Sequence, residues 1–298
     1  MILFHGDLGT FEHVLSILQQ HALESTVHRR YQFIVFLMGL FHLKMACADA
    51  IWRIFIEPKA GRMDANSLLL FVAQYRPRQT GKIGSDPGFR IMHEVIGNTG
   101  VALRLDTWHV EAHKRNSEWV SLETFAAAQP SLDLIEEMAN SLAVNYVAGY
   151  ETNIFKLRGQ ATASRDTQHE NMLIMHQYFL LYEEITFAMN HGDIGRLETL
   201  FPPWIYIFKA TGKHKYAAQM TKFLTDVHFV YPEGLRCICT LWYLYSHSQQ
   251  CILRRAVRYN IMVNPTGKEG AFRGADWVEE SNNLFIKVRN YVPILIGN

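Results

Sequence analysis

Carboxylates stand at two places in this chain where they could do chemistry. The first is Asp7, which follows the short apolar run Met1–Phe4 and a His5-Gly6 step. The second is the stretch 274–283, GADWVEESNN, with Asp276, Glu279 and Glu280. A strand that ends in an acid and turns over glycine into a helix presents that acid at its tip. Acids from distant parts of a chain that converge can hold Mg²⁺, a hard ion that takes oxygen ligands. A pair of such ions activates water and stabilises the leaving oxygen in phosphodiester cleavage. The plainer account is a turn aspartate and ordinary helix-start acids favoured by the helix dipole. Spacing leaves both accounts open.

Three further sets invite chemistry. His42, Lys44, Asp49 and Arg53 interrupt the apolar stretch 39–53, GLFHLKMACADAIWR. On a helix His42, Asp49 and Arg53 share one face, and buried polar groups need partners. They form either a structural network, with Asp49–Arg53 as an i,i+4 pair, or the support of a site. Cys237, Cys239, His247 and Cys251 are zinc-type ligands, although a helix would turn Cys237 and Cys239 to different faces, which favours buried apolar thiols. Arg76, Arg78, Lys82 and Arg90, then Lys209, Lys213 and Lys215, then Arg254, Arg255 and Arg258, form basic groups suited to phosphate contact or to a solvated face. No P-loop, dinucleotide fingerprint, nucleophile elbow or HExxH is present, so no small-molecule cofactor is expected.

The elements that must position these residues are mostly helical. The chain has 298 residues, 49% of them hydrophobic, enough for a large core. A net charge of +1 gives no global attraction to nucleic acid or membrane, so any such contact must come from local patches. Four cysteines without a framework spacing fit reduced thiols. The apolar stretch 31–41 is shorter than the ~20 residues a bilayer span needs and is expected to be part of a buried helix. The periodicity predicts helices over Phe11–Leu23 with Thr10 as cap, His28–Ile56 as one helix bent at Gly39 or two abutting ones, Ser67–Tyr75, Phe89–Ile96 and Val101–Lys114, with Gly97–Gly100 as the break between the last two. Further helices are predicted over Ser131–Ala148, Asp166–Asn190, Asp193–Ala210 broken at Pro202-Pro203, His214–Val230, Glu233–Leu253 and Trp277–Asn290. Arg76–Gly88 and Leu157–Arg165 are predicted loops, and Tyr259–Val263 is β-capable. The chain opens inside a predicted strand, so an upstream portion is expected.

Together, HGDLGT (5–10) and the stretches 31–53, 76–96 and 274–287 resemble an uncharacterised domain family of fungal genomes. That family is associated with transposable elements and is similar to RNase H-like transposases. The resemblance implies a mainly α protein of one domain, 1–298. A partial, truncated RNase H-like α/β core would lie at the termini, 1–10 and 258–298, with an all-helical insertion over 11–257. It makes Asp7 the second catalytic acid and Glu279 or Glu280 the last, with His42 close to the site in the first inserted helices. Mg²⁺ is the implied cofactor, DNA the partner and the nucleus the location. The first acid would come from an earlier strand that this chain lacks, so two-metal chemistry is expected to be absent. The function implied is a transposase-derived domain, a truncated or inactive Mg²⁺-dependent DNA strand-transfer or nuclease module. The alternative is a non-catalytic helical scaffold that binds DNA or protein. Convergence of Asp7 with Glu279 or Glu280 would favour the first.

Overall fold

A computed structural model describes residues 2–149, 154–231 and 261–282, and they are mainly helical. The elements in order are β1 (Ile2–Gly6), α1 (Leu8–Gln20), β2 (Ile34–Met38), α2 (Leu40–Phe55), α3 (Lys59–Met63), α4 (Leu68–Tyr75), α5 (Thr80–Ser85) and α6 (Gly88–Arg115). Then follow α7 (Leu122–Ala127), α8 (Leu132–Tyr146), α9 (Ile154–Arg158), α10 (Thr167–His191), α11 (Ile194–Ala210), α12 (His214–Thr225), β3 (Met262–Val263) and β4 (Arg273–Gly274). Residues 275–282 are helical again. The chain divides into two compact units, one of residues Met1–Cys47 with Glu184–Asn298 and one of Ala48–Glu183. No described helix is long and apolar enough to cross a membrane.

The first unit is built on a β-α-β turn of the chain. β1 and β2 pair in parallel from Ile2↔Ile34 to Gly6↔Met38, and α1 makes the crossover that a parallel pair needs. Phe11 of α1 packs with its ring tilted against Phe36 of β2, centroids 5.1 Å apart, and α12 also packs on β2. The helix expected over His28–Ile56 is therefore a strand followed by a helix. Periodicity cannot tell a short apolar run in a strand from one in a helix, and IVFLM finds its partner in β1. The cap of α1 also differs from expectation. Asp7 occupies that position, accepting from Thr10 N at 2.7 Å, so the helix starts at Leu8.

α11 runs straight through Pro202 and Pro203, where a break was expected. Each proline removes a donor at a cost of about 3 kcal/mol. Leu197, Leu200, Phe201, Trp204, Ile207 and Phe208 are all buried on both sides of them, and that continuous apolar face outweighs the loss. α12 folds back on α11, with Phe201–Phe223 and Phe208–Tyr216 contacts of 5.6 Å each. Gly212, at φ +76°, makes the turn. A single π-type turn over Asp226–Val230 continues α12. β3 and β4 form a two-residue antiparallel pair.

The described residues of the second unit form helices and the turns between them, with no strand. α6 is one helix of 28 residues, and Gly97–Gly100 does not break it. Gly costs only ~1 kcal/mol in a helix, whereas Met92, Val95, Ile96 and Thr99 are buried along the same stretch. Gly100 has a packing reason, since a Cβ there would lie 2.7 Å from Glu183 Oε1. A satellite core of Ala112, Phe125 and Met138, packed by Trp108, Trp119, Leu134 and Ile135, joins α6, α7 and α8. The loop expected over Arg76–Gly88 is mostly ordered as a 3₁₀ turn, Pro77–Gln79, and α5. Ile83 is fully buried there, and Trp52 Nε1 donates to its carbonyl at 2.7 Å. The expected loop at Leu157–Arg165 likewise holds the end of α9 and a 3₁₀ turn, Thr162–Ser164.

Candidate functional site

Gly39 sits at the joint between β2 and α2. Its N–H donates to Gly6 O at 2.8 Å, and its carbonyl accepts the first helical bond from Leu43 at 3.1 Å. It therefore stands where a capping side chain belongs, but glycine has none to offer. Asp276 supplies the missing carboxylate from the far end of the chain. Its Oδ1 accepts from Phe41 N and its Oδ2 from His42 N, both at 3.0 Å. The Nδ1–H of His42 donates to the same Oδ2 at 2.8 Å. Asp276 is 3% exposed, so these three donors hold a buried charge at a helix N-terminus, where the dipole favours it. Two glycines leave room for it. A Cβ on Gly39 would meet Asp276 Cγ at 2.8 Å and Gly6 O at 2.9 Å, and one on Gly274 would meet Asp276 Oδ1 at 2.7 Å.

The helix that begins at 275 then lays two more acids beside the same joint. Glu280, one turn beyond Asp276, brings Oε1 to 3.5 Å from His42 Nε2. Glu279 brings Oε1 to 3.4 Å from His5 Nε2, close enough for an ion pair with a protonated imidazole but outside hydrogen-bond geometry. Both glutamates are solvent-facing, with side chains 63% and 62% exposed. The Asp276 hydrogen bond raises the His42 pKa, burial opposes it, and the charges of Glu280 and Asp7 add to the rise. Asp7 feels His42 in turn. Its carboxyl is held below the usual range first by its hydrogen bonds with Thr10, and the His42 charge contributes. This corner thus favours the protonated form of His42, between a buried and two exposed carboxylates.

Asp7, His42, Glu279 and Glu280 are accordingly brought together in the first unit, joined by Asp276 and His5. Asp276, by spacing one of the acids that could hold Mg²⁺, is instead spent on the start of α2. The signal was the glycine before it, in GAD, where a close approach is needed. His5 carried no signal beyond its place next to Gly6-Asp7. Of the remaining candidates, Asp49 and Arg53 pair with each other at 2.8 Å in the second unit. Arg76 is committed to Glu94 at 2.5 Å and to Gln79 at 3.0 Å, and Arg78 and Lys82 are exposed on the turn and on α5. Cys237, Cys239, His247, Cys251, Arg254, Arg255 and Arg258 lie outside the described residues, as does the helix predicted over Glu233–Leu253.

Fit to Mg²⁺ is poor. Among the described residues no group of three or more His, Cys, Asp or Glu side chains is arranged to hold a metal ion. Both oxygens of Asp276 are spent on nitrogen donors, and Asp7 Oδ1 is spent on the cap of α1. Carboxylates used in this way fasten backbone; they are not presented as hard-ion ligands.

Comparison with known proteins adds one finding. The model of one family, a family of unknown function (DUF6589), matches residues 1–291. No curated protein and no solved structure matches the chain.

Proposed function

We propose, from the premise that this chain belongs to the family of unknown function DUF6589, that it is a transposase-derived domain. In this reading the first unit is the partial RNase H-like core. The β1–α1–β2 turn is its parallel half, and the helix from 275 is the one that carries the last acid. Asp7, Glu279 and Glu280 mark the remnant of the catalytic corner, which Asp276 with His42 fastens, and exposed basic groups such as Arg78 and Lys82 contact DNA phosphates. The observation that supports this reading is the meeting of acids from both ends of the chain. Asp7 ends β1, Glu280 lies on the helix from 275, and both act on His42. Because the described residues do not fit Mg²⁺, strand cleavage is not part of the proposal. The domain binds DNA without cutting it, in the nucleus.

The test is fluorescence anisotropy with labelled duplex DNA across 50–200 mM salt, with a nicking assay alongside. A Kd that weakens steeply and linearly in log–log form is expected, as phosphate contacts require, with no cleaved product in Mg²⁺. Absence of salt-sensitive binding would remove the DNA reading and leave the helical scaffold. Cleavage in Mg²⁺ would show the site to be complete.

A further inference from the structure

Among the described residues β1 is paired along one edge alone, in a sheet of two strands with β2. In a parallel pair, alternate residues of a strand point both of their backbone groups at the neighbour. Ile2 N–H donates to Phe33 O at 2.7 Å, and Gly6 O accepts from Gly39 N at 2.8 Å. The register runs unbroken between them, so Ile2, Phe4 and Gly6 are the residues whose backbone faces β2. Leu3 and His5 therefore turn an N–H and a C=O each to the opposite edge, spaced to receive another strand.

That edge lacks the devices that keep strands apart. Edge strands are protected by lysine, by proline or by a bulge. β1 reads Ile2-Leu3-Phe4-His5-Gly6 in continuous register and has none of these. Phe4 is the register partner of Phe36, which packs on Phe11 of α1, so Ile2 and Phe4 share the face that α1 covers in part. Ile2 is still 55% and Phe4 45% exposed there.

We propose that β1 is a homodimer seam, pairing antiparallel with β1 of a second copy across a two-fold axis at Phe4. This register sets Leu3 of one copy opposite His5 of the other on both sides of the axis. Each such pair then exchanges two backbone hydrogen bonds. Phe4 meets Phe4 of the second copy at the narrow, non-hydrogen-bonded position, with Cα atoms about 4.5 Å apart, where an aromatic pair is favourable. Ile2 lies opposite Gly6, which has no side chain to obstruct it. β1 has no Asp, Glu, Lys or Arg, so no like charges oppose each other across the seam. The axis stands perpendicular to the sheet, which places both α1 helices on one face of a continuous four-stranded sheet. A short strand seam alone falls below the ~800 Å² per partner typical of a stable complex. α1 holds no buried residue and exposes Leu15 and Ile17, and its surface supplies the apolar area that extends the seam.

The test is sedimentation velocity on the full chain over a range of concentrations, without DNA. The wild type should pass reversibly from monomer to dimer. Phe4→Lys and Phe4→Glu each set like charges across the axis and should stay monomeric where the wild type is dimeric, while an equimolar mixture of the two should dimerise again. Amide hydrogen exchange checks the register with no substitution at all. At concentrations that give dimer the Leu3 and His5 amides should slow, whereas the Phe4 amide, already bonded to β2, should not respond to concentration. A wild type that stays monomeric, variants that dimerise as it does, or Leu3 and His5 amides indifferent to concentration would each overturn the proposal. Dimerisation is read without DNA, so neither result bears on the DNA reading above.

Discussion

The two units handle their acids differently. In the second unit the acids are matched by arginine. Glu94 meets Arg76 and Arg90, Glu111 and Glu137 meet Arg115, Glu170 meets Arg165 and Arg158, and Glu183 meets Arg104. At the corner of the first unit they are matched by histidine, with Asp276 and Glu280 on His42 and Glu279 on His5. Arginine keeps its charge at every working pH. Histidine titrates between pH 5 and 8. The helical unit is therefore tied by permanent charges, whereas the corner of the first unit adds charges that depend on a proton to the permanent pairs found elsewhere in that unit, such as Lys222–Asp226 and Arg196–Glu184. A tie between residues 234 or more positions apart is also a different device from the i,i+4 pairs of the helical unit. It closes the first unit on itself.

The sharpest way to break the contrast is to remove the buried fastener. Asp276→Ala strips the cap from α2 and leaves His42 without its partner. A loss of about 3–5 kcal/mol is expected from urea unfolding, the range for breaking a buried charged pair. Arg104→Met in the second unit removes a half-exposed pair, and a loss of about 1 kcal/mol or less is expected. Equal losses in the two variants would erase the distinction.

A second comparison uses glycine. Gly39→Ala drives a Cβ into Asp276 Cγ and the Gly6 carbonyl, neither of which can swing aside. The expected cost is about 1–3 kcal/mol. Gly100→Ala meets the far end of Glu183, a side chain that can yield, and gains about 1 kcal/mol of helix propensity. Its unfolding midpoint should move little. A Gly39→Ala variant as stable as the wild type would mean that Asp276 is not packed where this geometry puts it.

The smallest effect is the proton itself. The His42 pKa is raised in the folded state. Its stabilisation is thus fully present below the unfolded value of about 6.5 and is lost as pH rises through the folded value. Stability followed from pH 5.5 upward should decline above pH 6.5, and His42→Gln should flatten that decline. The cost of Arg104→Met should not change over the same range. An unaltered slope in His42→Gln would assign the titration to another group.

Much of the architecture was legible from periodicity. α8, α10 and α12 follow apolar positions at helical spacing, and Asp7 was visible as an acid at a strand end. Errors fell where local signals and burial disagreed. The run 34–38 has no period to distinguish strand from helix until β1 lies beside it. Gly97–Gly100 and Pro202-Pro203 are local breakers, yet long apolar faces carry α6 and α11 through them. Gly39 was placed correctly as a discontinuity but misread as a bend. It is a cap position whose cap is held by another part of the chain. Of the site, Asp7, His42, Glu279 and Glu280 were picked out by residue type, while the parts of Asp276 and His5 were not.

The sequence by itself determined the helical class, the apolar faces and the identity of the acids, because each of these depends on residues a few positions apart. The tertiary structure decided which acid is spent and which is exposed. Asp276, Glu279 and Glu280 lie within five residues of one another, and nothing local ranks them. Only the approach of the helix N-terminus at Phe41 and His42 buries the first beneath three donors and leaves the other two in water. The physical reason is that desolvation and hydrogen bonding belong to the assembled surroundings of a carboxylate and not to its place in the chain.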